Sequence, residues 1–147
     1  MKIKNIGEGF RGENGHIGYL LRQASHIVRL KINRALKKQK ITHPQFAVMT
    51  VLELESGLHA ADVARISMLS PQAVNRIIMT LETAGLIERV AHEIHGRVIK
   101  IFLTLLGKKQ LEQCKKIVAN IELELINSLA PKDIKLIKKW LVKCAMK

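Results

Sequence analysis

The stretch SPQAVNRIIMTLETAGLIERV, residues 70–90, decides the fold. Val74, Ile77, Ile78 and Leu81 recur at three- and four-residue spacing, which predicts a helix with one buried face. Ser70 is a favoured N-cap, and Pro71 sits at the first helical position, where its missing N–H costs nothing. Gly85 is the usual left-handed terminator, and Leu86 to Val90 then reads as a strand. The opposite face of the helix carries Gln72, Asn75, Arg76 and Met79. An ordinary solvent-facing helix would place Glu and Lys there, because both are well solvated and favour helix. Short, directional hydrogen-bonding side chains instead suggest a surface that reads something.

The neighbouring segments place this helix in a larger unit. Thr42 followed by Gln45 forms a capping box for a helix running through Phe46, Val48, Met49, Val51 and Leu52 to a stop at Ser56-Gly57. A short helix over about Ala60 to Ile66 and a turn at Ser67 to Leu69 lead into Ser70. After Val90, the polar residues 92–97 with Gly96 separate the first strand from Val98 to Leu103, where Ile99, Ile101 and Leu103 alternate with Val98, Lys100 and Phe102. Short helices at a sharp angle followed by a hairpin make a winged helix-turn-helix. The second helix of such a unit lies in the major groove, where Gln and Asn can bond adenine edges and Arg can grip guanine or phosphate. Ser70 and the free N–H groups at the helix start suit a phosphate, and Met79 can touch a thymine methyl or pack. The expected recognition set is Ser70, Gln72, Ala73, Asn75, Arg76 and Met79.

Long amphipathic segments flank this unit. From His16 to about Gln39, apolar residues from Ile17 to Leu36 recur at helical spacing. Thr104 caps a second long helix whose Leu111, Cys114, Val118, Ile121 and Leu125 fall on a heptad seam. Pro131 breaks it, and a last helix is expected to bury Ile134, Ile137, Leu141 and Cys144. A two-stranded hairpin is too small to cover all these apolar faces, so a second copy of the chain is expected to cover some of them. The expected organisation is a flexible arm at 1–15, a dimerisation region at 16–40 and 104–147, and a winged helix-turn-helix at 41–103. The fold class is mainly α with a small β-hairpin wing.

Composition narrows the partner. The 147 residues include 25 Lys and Arg against 12 acids, a formal charge of +13, which favours a polyanion. The surplus is uneven. Residues 22–40 hold seven cations and no acid, whereas residues 60–89 balance Arg65, Arg76 and Arg89 against Asp62, Glu82 and Glu88. Bulk charge therefore supplies attraction without locating the contact face. No segment approaches the roughly 18 to 20 uninterrupted apolar residues of a membrane span, and the N-terminus lacks the apolar core of a signal peptide. Two cysteines make no disulfide framework, so a reducing, cytoplasmic setting without membrane contact is expected.

Several motifs weigh less. Gly7, Gly9 and Gly12 match G-x-G-x-x-G, but that cofactor motif needs a preceding strand and a following helix, and only six residues come before it. His92, Glu93 and His95 share one loop tip without a rigid frame or a fourth ligand, so no metal is expected. Cys114 and Cys144 lie on apolar seams, where free Cys usually acts as a small hydrophobe rather than a redox switch. No catalytic set, carboxylate pair or phosphate loop has the required spacing, so neither enzymatic activity nor a cofactor is expected.

Residues 41–107 resemble the MarR family of bacterial transcriptional regulators. The resemblance rests on Thr42-x-x-Gln45-Phe46, Ser70-Pro71-Gln72, Leu81-Glu82-x-x-Gly85-Leu86-Ile87 and Leu103-Thr104-x-x-Gly107, in that order. It implies a homodimer on a pseudo-palindromic operator of double-stranded DNA, with wings over the minor grooves. It also implies a small aromatic or anionic effector in a cleft between the flanking helices and the winged unit. Arg97, seven residues before Thr104, takes the place of the family's minor-groove arginine, and the expected wing contacts are His95 and Arg97. The preceding positions, usually acidic and basic in the family, are His95 and Gly96 here, so the ion-paired tip is lost. The competing reading from another class is a winged-helix interaction module that binds protein or structured RNA through its basic helices.

Overall fold

A computed structural model of the chain describes residues 14–91 and 99–146. Helix α1 (Ile17–Leu36) continues into a 3₁₀ turn at Lys37–Gln39. Then come α2 (His43–Leu54), α3 (Ala60–Ser67), α4 (Pro71–Thr83), the antiparallel strands β1 (Ile87–Ala91) and β2 (Ile99–Leu103), α5 (Leu105–Ile126) and α6 (Pro131–Ala145). This is the winged helix-turn-helix between long helices that the patterning predicts.

The caps form as expected. Thr42 and Gln45 complete a reciprocal capping box at α2. The Thr104 hydroxyl accepts from the Gly107 N–H at 3.0 Å and donates to the Gly85 carbonyl at 2.7 Å, tying the start of α5 to the end of α4. Gly85 is left-handed, at φ 72°. Gly107 is required for a different reason: a Cβ there would lie 1.9 Å from the Leu86 carbonyl oxygen. Helix α5 can therefore approach the strand entry only as glycine.

One apolar core runs through the molecule. Leu36 from α1, Met49 and Leu52 from α2, Val63 from α3, Val74 and Leu81 from α4, Ile101 from β2 and Leu111 and Cys114 from α5 are all nearly or fully buried within it. No polar or charged residue is buried among the described residues. Helix α4 therefore rests on apolar packing alone, with its polar row left outside.

The flanking helices depart from the sequence reading. Ile134 is only half-buried, Ile137 and Leu141 are exposed, and so is Cys144; α6 has no buried residue. It has no extended packing against any other element among the described residues. Leu125, expected on the α5 seam, is also exposed, as are Ile17 and Leu21 at the start of α1.

Hydrogen bonds add a further strip to the wing. Gly57 donates to the Ile101 carbonyl at 3.1 Å and Ile101 donates to the Leu58 carbonyl at 3.0 Å, so the α2–α3 connection pairs with the edge of β2 away from β1. An edge that would otherwise offer unpaired backbone groups is thereby covered.

Candidate nucleic-acid interface

Helix α4 starts as the sequence requires. Ser70 Oγ accepts from the Ala73 N–H at 3.2 Å and the Ser70 carbonyl accepts from the Val74 N–H at 3.0 Å; Pro71 has no N–H, so the Gln72 N–H is the first-turn donor left at the positive end of the helix. Val74, Ile78 and Leu81 are at most 3% exposed and Ile77 is half-buried. Gln72, Asn75, Arg76 and Met79 all project into solvent, and Ala73 lies partly covered between the two faces. Met79 is 61% exposed, which settles its side: it belongs to the outer row and not to the packing.

Charge pairing then singles out one arginine. Arg89 on β1 meets the Glu82 carboxylate in a fork, Nε to Oε1 at 3.0 Å and Nη2 to Oε2 at 2.5 Å. The guanidinium hydrogen bonds hold the Glu82 carboxyl below the usual carboxylate range, and Glu82 in turn raises Arg89. Arg65 faces Asp62 one helical turn away at 3.5 Å. Arg76 has no such partner among the described residues, so of the three arginines in this region it is the one left for an external anion or base.

The fork also joins the end of α4 to the root of the wing. The sequence contained the signal, an acid and an arginine seven positions apart across a helix-to-strand junction, but the residue types alone did not distinguish a clasp from two solvated charges. The turn into α4 carries an unusual conformation. Met68 is left-handed at φ 54° and 84% exposed, where glycine would be unstrained. His95 and Arg97, the expected wing contacts, lie outside the described residues, as do His92 and Glu93. The N-terminal arm is likewise outside them through residue 13.

Behind this face, a cleft of about 660 Å³ separates the end of α1 from the start of α2 and is lined by Asn33, Lys37, Lys40, Ile41, Thr42 and Pro44. Asn33 Oδ1 accepts from the His43 N–H at 2.7 Å, bracing one wall. Burial, reinforced by the nearby Arg29 charge, lowers the His43 pKa and favours its neutral ring. No group of three His, Cys, Asp or Glu able to hold a metal occurs among the described residues. Burial pushes the Cys114 thiol up, away from the thiolate that redox sensing needs.

This architecture defines a winged helix-turn-helix protein with long flanking helices. Residues 39–98 match the model of the MarR family. The chain is 28% identical over 131 residues to the HTH-type transcriptional repressor Rv2887 of Mycobacterium tuberculosis, covering 89% of this chain and 94% of the relative. Among solved structures, the Staphylococcus aureus MepR–DNA complex superposes with a TM-score of 0.82 at 26% identity, over 90% of this chain and 98% of that one. Rv2887 in complex with salicylic acid gives 0.73 at 27% identity over the same shares. Over these residues the chain is similar to MarR-family regulators.

Proposed function

We propose that the chain is a sequence-specific, DNA-binding transcriptional regulator of repressor type that acts in the cytoplasm as a homodimer on a pseudo-palindromic operator. The observation that carries this reading is the outer row of α4. Gln72, Asn75 and Arg76 are exposed and Arg76 is unpaired among the described residues, on a helix whose other face is locked into the core. Ser70 and the Gln72 N–H take a phosphate, the side chains of Gln72, Asn75 and Arg76 read base edges, and Ala73 and Met79 supply apolar contact. His95 and Arg97 extend the contact from the wing.

The regions 16–40 and 104–147 form the dimerisation part, and the exposed apolar faces of α1, α5 and α6 support that assignment. No helix among the described residues is long and apolar enough to cross a membrane. The cleft between α1 and α2 fits a small aromatic carboxylate: Lys37 and Lys40 supply positive charge, while Ile41 and Pro44 supply apolar surface. MepR was solved with DNA and Rv2887 with salicylic acid, which supports both halves of the reading. An effector there weakens DNA binding only through differential affinity for two spacings of the paired recognition helices.

Selection of binding sites from random duplex DNA tests the reading. An inverted repeat with half-sites about one helical turn apart is expected; recovery of no motif would overturn it in favour of an interaction module. With the site in hand, Asn75→Ala should relax preference at one base position by about 1 to 3 kcal/mol. Arg97→Ala should instead weaken binding across sequences.

A further inference from the structure

His59 occupies the N-cap of α3, where Ser, Thr, Asp or Asn would accept a hydrogen bond from the first turn. Its side chain makes no such bond. The ring turns toward the wing, placing Nδ1 2.9 Å from the Ile99 carbonyl oxygen, forty residues along the chain. A carbonyl can only accept, so Nδ1 carries the proton and the imidazole is the donor.

Backbone geometry gives this bond its place. Alternate residues of an antiparallel strand direct their N–H and C=O groups to the same edge. Ile101 turns both groups toward Gly57 and Leu58, so Ile99 presents its carbonyl on that edge too. Continuing the pairing from Leu58 opposite Ile101 would bring Ala60 opposite Ile99, but Ala60 is already the first residue of α3. The His59 ring supplies the donor that the departing backbone withholds. The bond attaches at the first residue of β2, directly after the tip segment.

We infer that His59 is a positioning residue that fixes the root of the wing to the N-terminus of α3, and so raises DNA affinity without itself touching DNA. The inference rests on the DNA-binding reading above. It explains why a helix of only eight residues lacks a side-chain N-cap at a position where one is cheap to provide: the position is used to hold the wing instead.

The test compares the full-length chain with His59→Ser and His59→Gln. Serine restores a cap but cannot reach Ile99; glutamine keeps an N–H donor of comparable reach. His59→Ser should melt no lower than the parent, yet show faster backbone amide exchange across residues 99–103 and bind the selected operator roughly 3- to 10-fold more weakly, the scale of one lost hydrogen bond. His59→Gln should recover both exchange protection and affinity. Unchanged exchange in His59→Ser would overturn the tether. Faster exchange with unchanged affinity would overturn its role in binding. If the parent chain selects no DNA site, the underlying reading fails instead, and that result is visible before any variant is made.

Discussion

Helices α4 and α6 follow the same amphipathic rule and end in opposite states. In α4 the apolar face disappears into the core, with Val74 at 0% and Leu81 at 1% exposure. In α6 Leu136 remains 66% exposed, and Ile137, Trp140 and Leu141 are each exposed by more than a third. The difference is not one of hydrophobicity. Helix α4 is surrounded by α2, α3 and β1 of its own chain, whereas α6 has no such neighbours. Periodicity reveals that a face wants covering; it does not say by what.

That contrast can be broken experimentally. The largest effect is expected inside the self-sufficient half, from Gly107→Ala. The added methyl would meet a backbone carbonyl, so the junction between α5 and the β1 entry must shift, costing on the order of 3 kcal/mol or more in a denaturant titration. Tolerance of alanine would mean that the two halves are less rigidly joined than the Thr104 and Gly107 contacts indicate. Next is Leu141→Glu on α6. A charge placed in an apolar dimer contact should raise the dimer dissociation constant roughly 100-fold, about 3 kcal/mol, while the helical signal is retained. Sedimentation would read the change in mass. A Leu141→Glu protein that stayed dimeric would place the assembly face elsewhere and leave the bare face of α6 without a partner to cover it.

The smallest effect should be a gain. Met68 pays the roughly 1 to 2 kcal/mol of a left-handed side-chain residue, and glycine would return about 0.5 to 1 kcal/mol of that as extra unfolded-state freedom. Met68→Gly should therefore stabilise by about 0 to 1.5 kcal/mol in thermal melts. A loss would show that the exposed Met68 side chain makes a stabilising contact in the assembled protein.

Local signals were legible wherever one residue type answers one backbone need. Thr42 with Gln45, Ser70, Thr104 and Gly85 all act at the helix ends where the sequence places them. The two faces of α4 were legible too, because burial and exposure follow from spacing. What could not be read was pairing over distance. Glu82 with Arg89, Gly57 and Leu58 along β2, and His59 with Ile99 depend on how the chain folds back on itself, and each residue alone is compatible with plain solvation. The burial expected for Ile134, Ile137, Leu141 and Cys144 failed for a related reason: periodicity does not say which element covers a face, and no described element of the chain packs extensively on α6.

The outer row of α4 has a consequence for how such a protein can change. Among the described residues, the side chains of Gln72, Asn75 and Arg76 make no hydrogen bond or ion pair within the chain, and none belongs to the core. Replacing them disturbs neither packing nor the surplus of positive charge, most of which lies on other helices. If these residues read base edges as proposed, preference for a new sequence can be acquired a residue at a time, each intermediate still folding and still attracted to DNA. The helix works as an exchangeable key on a fixed handle, so related copies could diverge in target without first having to regain stability.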